Sequence, residues 1–191
     1  MEVGFIGLGI MGRPMAGHLL AAGHHLFAYS RRSVPAELLE GGATACSSSA
    51  EVAVRAEIVI TMLPDTPDVE AVLFGRGGVA EGLNPGKIVV DMSSISPIAT
   101  RKFAQRISEL ECGYLDAPVS GGEVGAKAAM LTIMVGGLAE VFDRVRPVFE
   151  VMGKHIILIG ENGAGPPIQL AITLRQFTRN CKPVLGRQIP H

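Results

Sequence analysis

Gly7-Leu8-Gly9-Ile10-Met11-Gly12 is the feature that most restricts what this chain can fold into. It closes an apolar run at residues 3–6 and opens a helically spaced segment at residues 11–22 that stops at Gly23. In such a G-x-G-x-x-G turn the first glycine permits the tight turn and the second lets backbone approach a pyrophosphate. The third lets the helix pack closely on the strand. The helix N-terminus then offers N–H groups and a partial positive charge to phosphates. A chain with 24 glycines can hold this spacing by chance; the strand–turn–helix setting is what points to a dinucleotide.

The remaining pattern agrees. Short apolar runs at residues 25–29, 43–45, 58–63, 88–91, 114–115, 131–135 and 155–159 read as strands. Amphipathic stretches at residues 35–40, 49–55, 98–110 and 138–152 alternate with them as helices. The run at 58–63, stopped by Pro64, is continuously apolar, as a parallel strand buried on both faces should be. Strand–helix alternation of this length predicts an α/β, Rossmann-type doubly wound fold with a mostly parallel sheet and helices on both faces.

Composition excludes several other classes. Hydrophobic residues make up 48% and charged residues 18% of 191, enough apolar character for a real core. The net charge of −1 offers no basic footprint for nucleic acid or an anionic membrane surface. Seven Phe, two Tyr and no Trp leave little aromatic surface for stacking bases or sugars. No run approaches the roughly 18 apolar residues of a spanning helix, and the start, MEVGFIGLG, lacks the basic region of a signal peptide. Cys46, Cys112 and Cys181 form neither a disulfide framework nor a metal-ligand spacing, so no metal is expected and a reducing cytoplasm is.

The end of the second strand bears on which dinucleotide is bound. An NAD site usually places an acid there for the ribose 2′-OH. Here the strand runs into Ser30-Arg31-Arg32, with no acid before Glu37. Two guanidiniums can clasp a 2′-phosphate and the serine can donate to it, which favours NADP with NAD as the alternative. The bland reading is a solvated pair of surface arginines.

Composition changes abruptly near the end. Residues 166–191 contain Arg175, Arg179, Lys182 and Arg187 and no acid, whereas the preceding 165 residues hold 13 basic and 18 acidic side chains. The division expected is therefore 1–165 as the dinucleotide-binding domain and 166–191 as an atypical basic tail.

Five segments in order, GFIGLGIMGRPMAGHL, MLPDTPDVEAVLFG, VVDMSSISP, YLDAPVSGGEVGA and LTIMVGG, resemble the β-hydroxyacid dehydrogenase family. The likeness runs from Val3 to about Gly165, and is greatest to the branch that reduces 2-hydroxy-3-oxopropionate to glycerate. It implies that residues Gly7 to Gly12 hold the pyrophosphate and that Met62-Leu63-Pro64 line the adenosine and nicotinamide side. Ser94 would contact the nicotinamide ribose. Ser120-Gly121-Gly122 would bind a small hydroxy or oxo acid through a hydroxyl and backbone N–H groups, which uncovered glycine amides suit.

The chain also departs from the family. After a Gly-x-Gly strand end, relatives carry Q-x-x-K-x-x-N, whose lysine is the general acid. Here Gly163-Ala164-Gly165 is followed by residues that place Gln169 at the lysine and Ile172 (or Thr173) at the asparagine. An amide cannot protonate an alkoxide, and a positioned acid contributes typically 10²–10⁴-fold in rate. Family members continue into an all-helical domain that closes the cleft and forms the dimer. The expectation is that a frame change or aberrant join just after Gly165 replaced it, with most of the dimer interface. Relatives also favour glycine where this chain has Ala129. Lys127, Lys154, His155 and Lys182 are substitute acids by type only. His18, His24 and His25 read as surface or capping residues. Three readings follow: an NADP-dependent reductase with impaired turnover, a non-catalytic NADP(H)-binding module, or an unstable truncated product.

Overall fold

The structure is a computed structural model that describes residues 1–165. In chain order the elements are β1 (Glu2–Ile6), α1 (Gly12–Ala21), β2 (His25–Tyr29), α2 (Ala36–Glu40), β3 (Thr44–Ala45), α3 (Ser49–Arg55) and β4 (Ile58–Thr61). Then come α4 (Thr66–Phe74), α5 (Val79–Gly82), β5 (Ile88–Asp91), α6 (Pro97–Ser108) and β6 (Gly113–Asp116). β7 (Val119–Ser120), α7 (Gly122–Lys127), β8 (Leu131–Gly136), α8 (Ala139–Met152) and β9 (Gly153–Gly160) complete the described chain.

The first six strands are all parallel, in the order β3-β2-β1-β4-β5-β6. This is the Rossmann order, and its direction reverses between β1 and β4, where ligands bind such sheets. β7 continues the line of β6, since Asp116↔Gly136, Val119↔Ile133 and Ser120↔Thr132 share one antiparallel register with β8. β9 pairs parallel with the other edge of β8.

Alternation along the strands builds two cores. Val3, Phe5, Ile58, Ile60, Ile88 and Val90 face α1 and α8, meeting Met15, Leu19 and Phe149. Val59, Val89 and Tyr114 face the other layer, meeting Val52, Val69, Phe103 and Ile107. Both faces of the sheet are thus covered, and the doubly wound expectation holds. Gly4 marks a close contact: a Cβ there would stand 2.4 Å from Val52 Cγ1, so α3 packs directly on β1.

Four elements escaped the sequence reading. The apolar run continues through Leu63, but β4 ends at Thr61 because the next two residues turn away as a loop. No element is legible between Leu63 and Asn84, yet α4 and α5 lie there. The start signal for α4 is present: Asp65 caps it by accepting from Thr66 N at 2.6 Å, with Pro67 in the first turn. The short β7 and α7 hide in the glycine-rich stretch, where glycine weakens every periodic signal.

Candidate functional site

β1 delivers the chain to the reversal point, and three glycines carry it into α1, each under a different constraint. Gly7 has φ +99°, and a Cβ there would stand 2.2 Å from Met62 O. At Gly12 a Cβ would stand 1.9 Å from Gly7 O and 2.9 Å from Phe5 Cε1, so the helix start is pressed onto the turn. Gly9 is different: a Cβ there would meet nothing within 4 Å. Its open face is where a diphosphate could approach backbone. Leu8 is buried beneath the turn, Met11 half-buried and Ile10 exposed. Met11 gives α1 no side-chain cap, and the first turn holds no acid, unlike α3 and α4, which Ser48 and Asp65 cap. The N-terminus of α1 keeps its positive end for an anion from outside.

At the end of β2, Ser30 is half-buried and Arg31 and Arg32 are exposed. Arg31 Nη1 pairs with Asp68 Oδ1 of α4 at 3.0 Å, with the arginine side chain 72% exposed. Sequence reasoning missed this partner because it placed no helix at α4. Glu37, the first acid after β2, pairs with Arg13 of α1. A groove of about 620 Å³ runs from Ile10 and Arg13 along the outer side of α1 between α2 and α7, bordered by the Arg13–Glu37 pair and by Lys127 with Glu123.

The loops after β4 and β5 form the other wall of the crevice. Met62 and Leu63 are half-buried, and Pro64 and Ser94 are exposed. Beneath them sits Asp91, the last residue of β5, 1% exposed and in register with Thr61 on one side and Asp116 on the other. Its Oδ1 accepts from Thr61 Oγ1 at 2.9 Å and from Ser93 N at 3.1 Å, and Ser93 Oγ accepts from Leu63 N at 2.9 Å. Burial pushes the Asp91 carboxyl up to about 6, against the opposing bonds from Ser93 and Thr61 and with the help of nearby Asp116. Asp91 Oδ2 and the Tyr114 hydroxyl, both buried, lack a well-aligned partner although they face one another. Burial, then the two carboxylates, hold the tyrosine well above its ordinary range.

Asp116 ends β6 and binds the turn after β9. Its Oδ1 accepts from Gly163 N at 2.8 Å and from Asn162 Nδ2 at 3.2 Å, and Oδ2 accepts from Gly165 N at 3.1 Å. Asn162 Nδ2 also lies within reach of the Tyr114 and Gly136 carbonyls. A Cβ on Gly136 or Gly165 would stand 2.7 or 2.8 Å from the carboxylate. Gly163-Ala164-Gly165, expected to end a strand, instead lies in the turn after β9, which stops at Gly160, and that turn is shaped around Asp116. Burial raises the Asp116 carboxyl while these donors lower it. Past Asp116, β7 carries the buried Ser120 to Gly121 (φ +131°) and Gly122 (φ +58°), both exposed beyond the carboxyl edge of the sheet.

The other candidates fall outside this crevice. Lys127 pairs with Glu123 at 2.6 Å on the surface of α7. Lys154 and His155 lie exposed in β9 rather than in the last turn of α8. His25 is exposed and His24 half-buried, whereas His18 Nε2 meets Ala126 O at 2.9 Å, tying α1 to α7. Ala129 has φ +53°, which explains the preference for glycine there. Gln169, Ile172, Thr173, Lys182 and the remainder of 166–191 lie outside the described residues. Among the described residues no three His, Cys, Asp or Glu side chains group to hold a metal ion, and no helix is long and apolar enough to cross a membrane.

Comparison with known proteins agrees with this fold. The chain is 52% identical over 171 residues to 2-hydroxy-3-oxopropionate reductase of Escherichia coli, covering 90% of this chain and 59% of that protein. It is 42% identical over 165 residues to the NAD-dependent L-serine dehydrogenase of Pseudomonas aeruginosa, covering 86% of this chain and 55% of the relative. The solved structure of Mycobacterium tuberculosis 3-hydroxyisobutyrate dehydrogenase with L-serine superposes with a TM-score of 0.85 at 34% identity, over 91% of this chain and 59% of that one. The chain thus spans somewhat under three fifths of the length of these relatives. Over residues 2–160 it matches the family model described as the NAD binding domain of 6-phosphogluconate dehydrogenase, and it belongs to that family.

Proposed function

We propose that residues 1–165 bind NADP(H) as the cofactor half of a β-hydroxyacid dehydrogenase, of the kind that reduces 2-hydroxy-3-oxopropionate to glycerate. The observation that carries the binding is the open face of Gly9 beside the uncapped N-terminus of α1, at the point where strand order reverses. Gly7 to Gly12 surround the pyrophosphate with backbone N–H groups. Met62, Leu63 and Pro64 line the adenosine and nicotinamide side, and Ser94 reaches the nicotinamide ribose. When bound, the cofactor supplies the hydride. Ser120, Gly121 and Gly122 hold the carboxylate or hydroxyl of the small acid, with their amides beyond the carboxyl edge of the sheet.

The choice of NADP over NAD rests on Ser30, Arg31 and Arg32 and on the absence of an acid at the end of β2. Asp68 already holds Arg31 near the loop after β4, so its guanidinium is oriented before a 2′-phosphate arrives. Relatives of this chain include one whose name states NAD dependence, so the 2′-phosphate contact is the discriminating element.

Turnover is a separate matter. Gln169 occupies the position of the family's general acid, which supports a chain that binds cofactor and reduces substrate poorly, or a pure NADP(H)-binding module. The experiment is an NADPH fluorescence titration of the purified chain, followed by NADPH oxidation with 2-hydroxy-3-oxopropionate. Binding with turnover at least about 10²-fold below an ordinary dehydrogenase is expected. No binding of either dinucleotide overturns the reading, and full turnover overturns the role given to Gln169.

A further inference from the structure

We propose that Asp91 is a positioning residue for the nicotinamide half of the crevice, its buried carboxylate fixing the loop after β4 against the loop after β5. The proposal rests on the dinucleotide reading above and goes beyond it, because Asp91 touches neither cofactor nor substrate.

The strand ladder stops short of these loops. Met62 N still donates to Ile6 O and Met92 N to Thr61 O, both at 2.9 Å, continuing the sheet by one residue. Beyond that point side chains take over. Asp91 Oδ1 gathers Thr61 Oγ1 from the end of β4 and Ser93 N from the loop after β5. Ser93 Oγ then takes Leu63 N, so one carboxylate oxygen and one hydroxyl set the relative position of Leu63 and Ser93. The two loops carry Met62, Leu63, Pro64 and Ser94, the residues proposed to meet the cofactor on this side.

A carboxylate buried to 1% exposure is a costly way to fill space between two strands. An apolar side chain would pack there without the desolvation penalty, but it could not accept from two donors at once. Acceptor capacity at that point is therefore what the position uses. Asn retains one such acceptor, and its amide would face the Tyr114 hydroxyl where Oδ2 now lacks an aligned partner. Ala retains none.

The test compares NADPH with 2′-phospho-ADP-ribose, which lacks the nicotinamide, by titrating each against the wild-type chain, Asp91→Ala, Asp91→Asn and Ser93→Ala. Thermal unfolding of each variant is measured alongside, and affinities are read on folded protein. Asp91→Ala should weaken NADPH about tenfold, the scale of one charge-assisted hydrogen bond, while the fragment keeps its affinity. Asp91→Asn should restore NADPH binding to within about threefold of wild type, since a neutral acceptor serves the same two donors. Ser93→Ala removes the Leu63 contact and the serine hydroxyl's own bond to Asp91 but leaves Thr61 Oγ1 and the residue 93 amide on the carboxylate, and should weaken NADPH by a smaller factor, again sparing the fragment. It carries the test if Asp91→Ala does not fold. Equal weakening of NADPH and the fragment would mean general damage, and unchanged NADPH affinity would mean the loops need no such tie; either overturns the proposal. Failure of the wild-type chain to bind both ligands would overturn the dinucleotide reading instead.

Discussion

Replacing Asp91 by asparagine should stabilise the fold at neutral pH, and the amount follows from the site. The carboxyl sits near 6 in the folded chain against 3.8 for an ordinary aspartate, chiefly because it is buried. As pH rises, the unfolded chain gives up this proton first and the folded chain keeps it for two further units. The unfolded state then binds fewer protons, so stability falls through this window. A shift of about two units corresponds to about 3 kcal/mol at pH 7. About 2 kcal/mol of this develops between pH 4.5 and pH 7, because part of the loss has already occurred at the lower value.

Asp91→Asn cannot titrate, yet it keeps the acceptor that Thr61 and Ser93 use. The charged and titratable neighbours, Asp116 and Tyr114 on β6, remain in both proteins. The assay is urea unfolding of both chains at fixed ionic strength, from pH 4.5 to 7.5, read as the variant-minus-wild-type difference. That difference should grow by about 2 kcal/mol toward neutrality. A flat difference, or one that shrinks as pH rises, would refute a carboxyl raised by burial.

Four further substitutions test separate features of the fold and the site. Gly9→Ala should leave urea stability within about 0.5 kcal/mol, because its Cβ points into open space, while NADPH affinity falls. Gly12→Ala drives a Cβ to 1.9 Å from Gly7 O and should cost about 2 kcal/mol or more in the same assay. Ala129→Gly relieves a left-handed alanine at φ +53° and should raise stability by about 1 kcal/mol in thermal or urea unfolding. Arg31→Ala should weaken NADPH about tenfold and leave NADH unchanged in fluorescence titrations; equal loss for both dinucleotides would show that the guanidinium does not read the 2′-phosphate.

Much of the fold was legible because its signals are local. The continuous apolar runs at β1, β4 and β5 and the glycine turn before α1 each carry their meaning within a few residues. The alternation of strands and helices then leaves few topologies open. What was lost was equally local in cause. Prolines flank the start of α4, so Pro64 reads as a stop for the preceding strand before Asp65 and Pro67 are read as a start. Within residues 119–127, three glycines among nine residues erase the period that would mark β7 and α7.

The site divides along a different line. Residues proposed to face a ligand are legible by type, as Gly7, Gly9, Gly12, Arg31 and Ser120 are. Residues that hold those residues in place are not, because their partners come from other strands. Asp91 and Asp116 each stand inside a segment that carried the family resemblance, yet nothing in one dimension says that they are neighbours in register. Nor does it say that one binds the loops after β4 and β5 while the other binds the turn after β9. The Gly163-Ala164-Gly165 turn shows the consequence. In sequence it is a marker that precedes the position where the resemblance puts the family's lysine. In space Gly165 admits the Asp116 carboxylate at a distance that a side chain would forbid, and the amides of Gly163 and Gly165 both bind it. The same carboxylate lies where β6 passes into the segment bearing Ser120. One aspartate with glycines 136 and 165 thus sets the turn after β9 against that segment, a fit that either glycine would lose on acquiring a side chain.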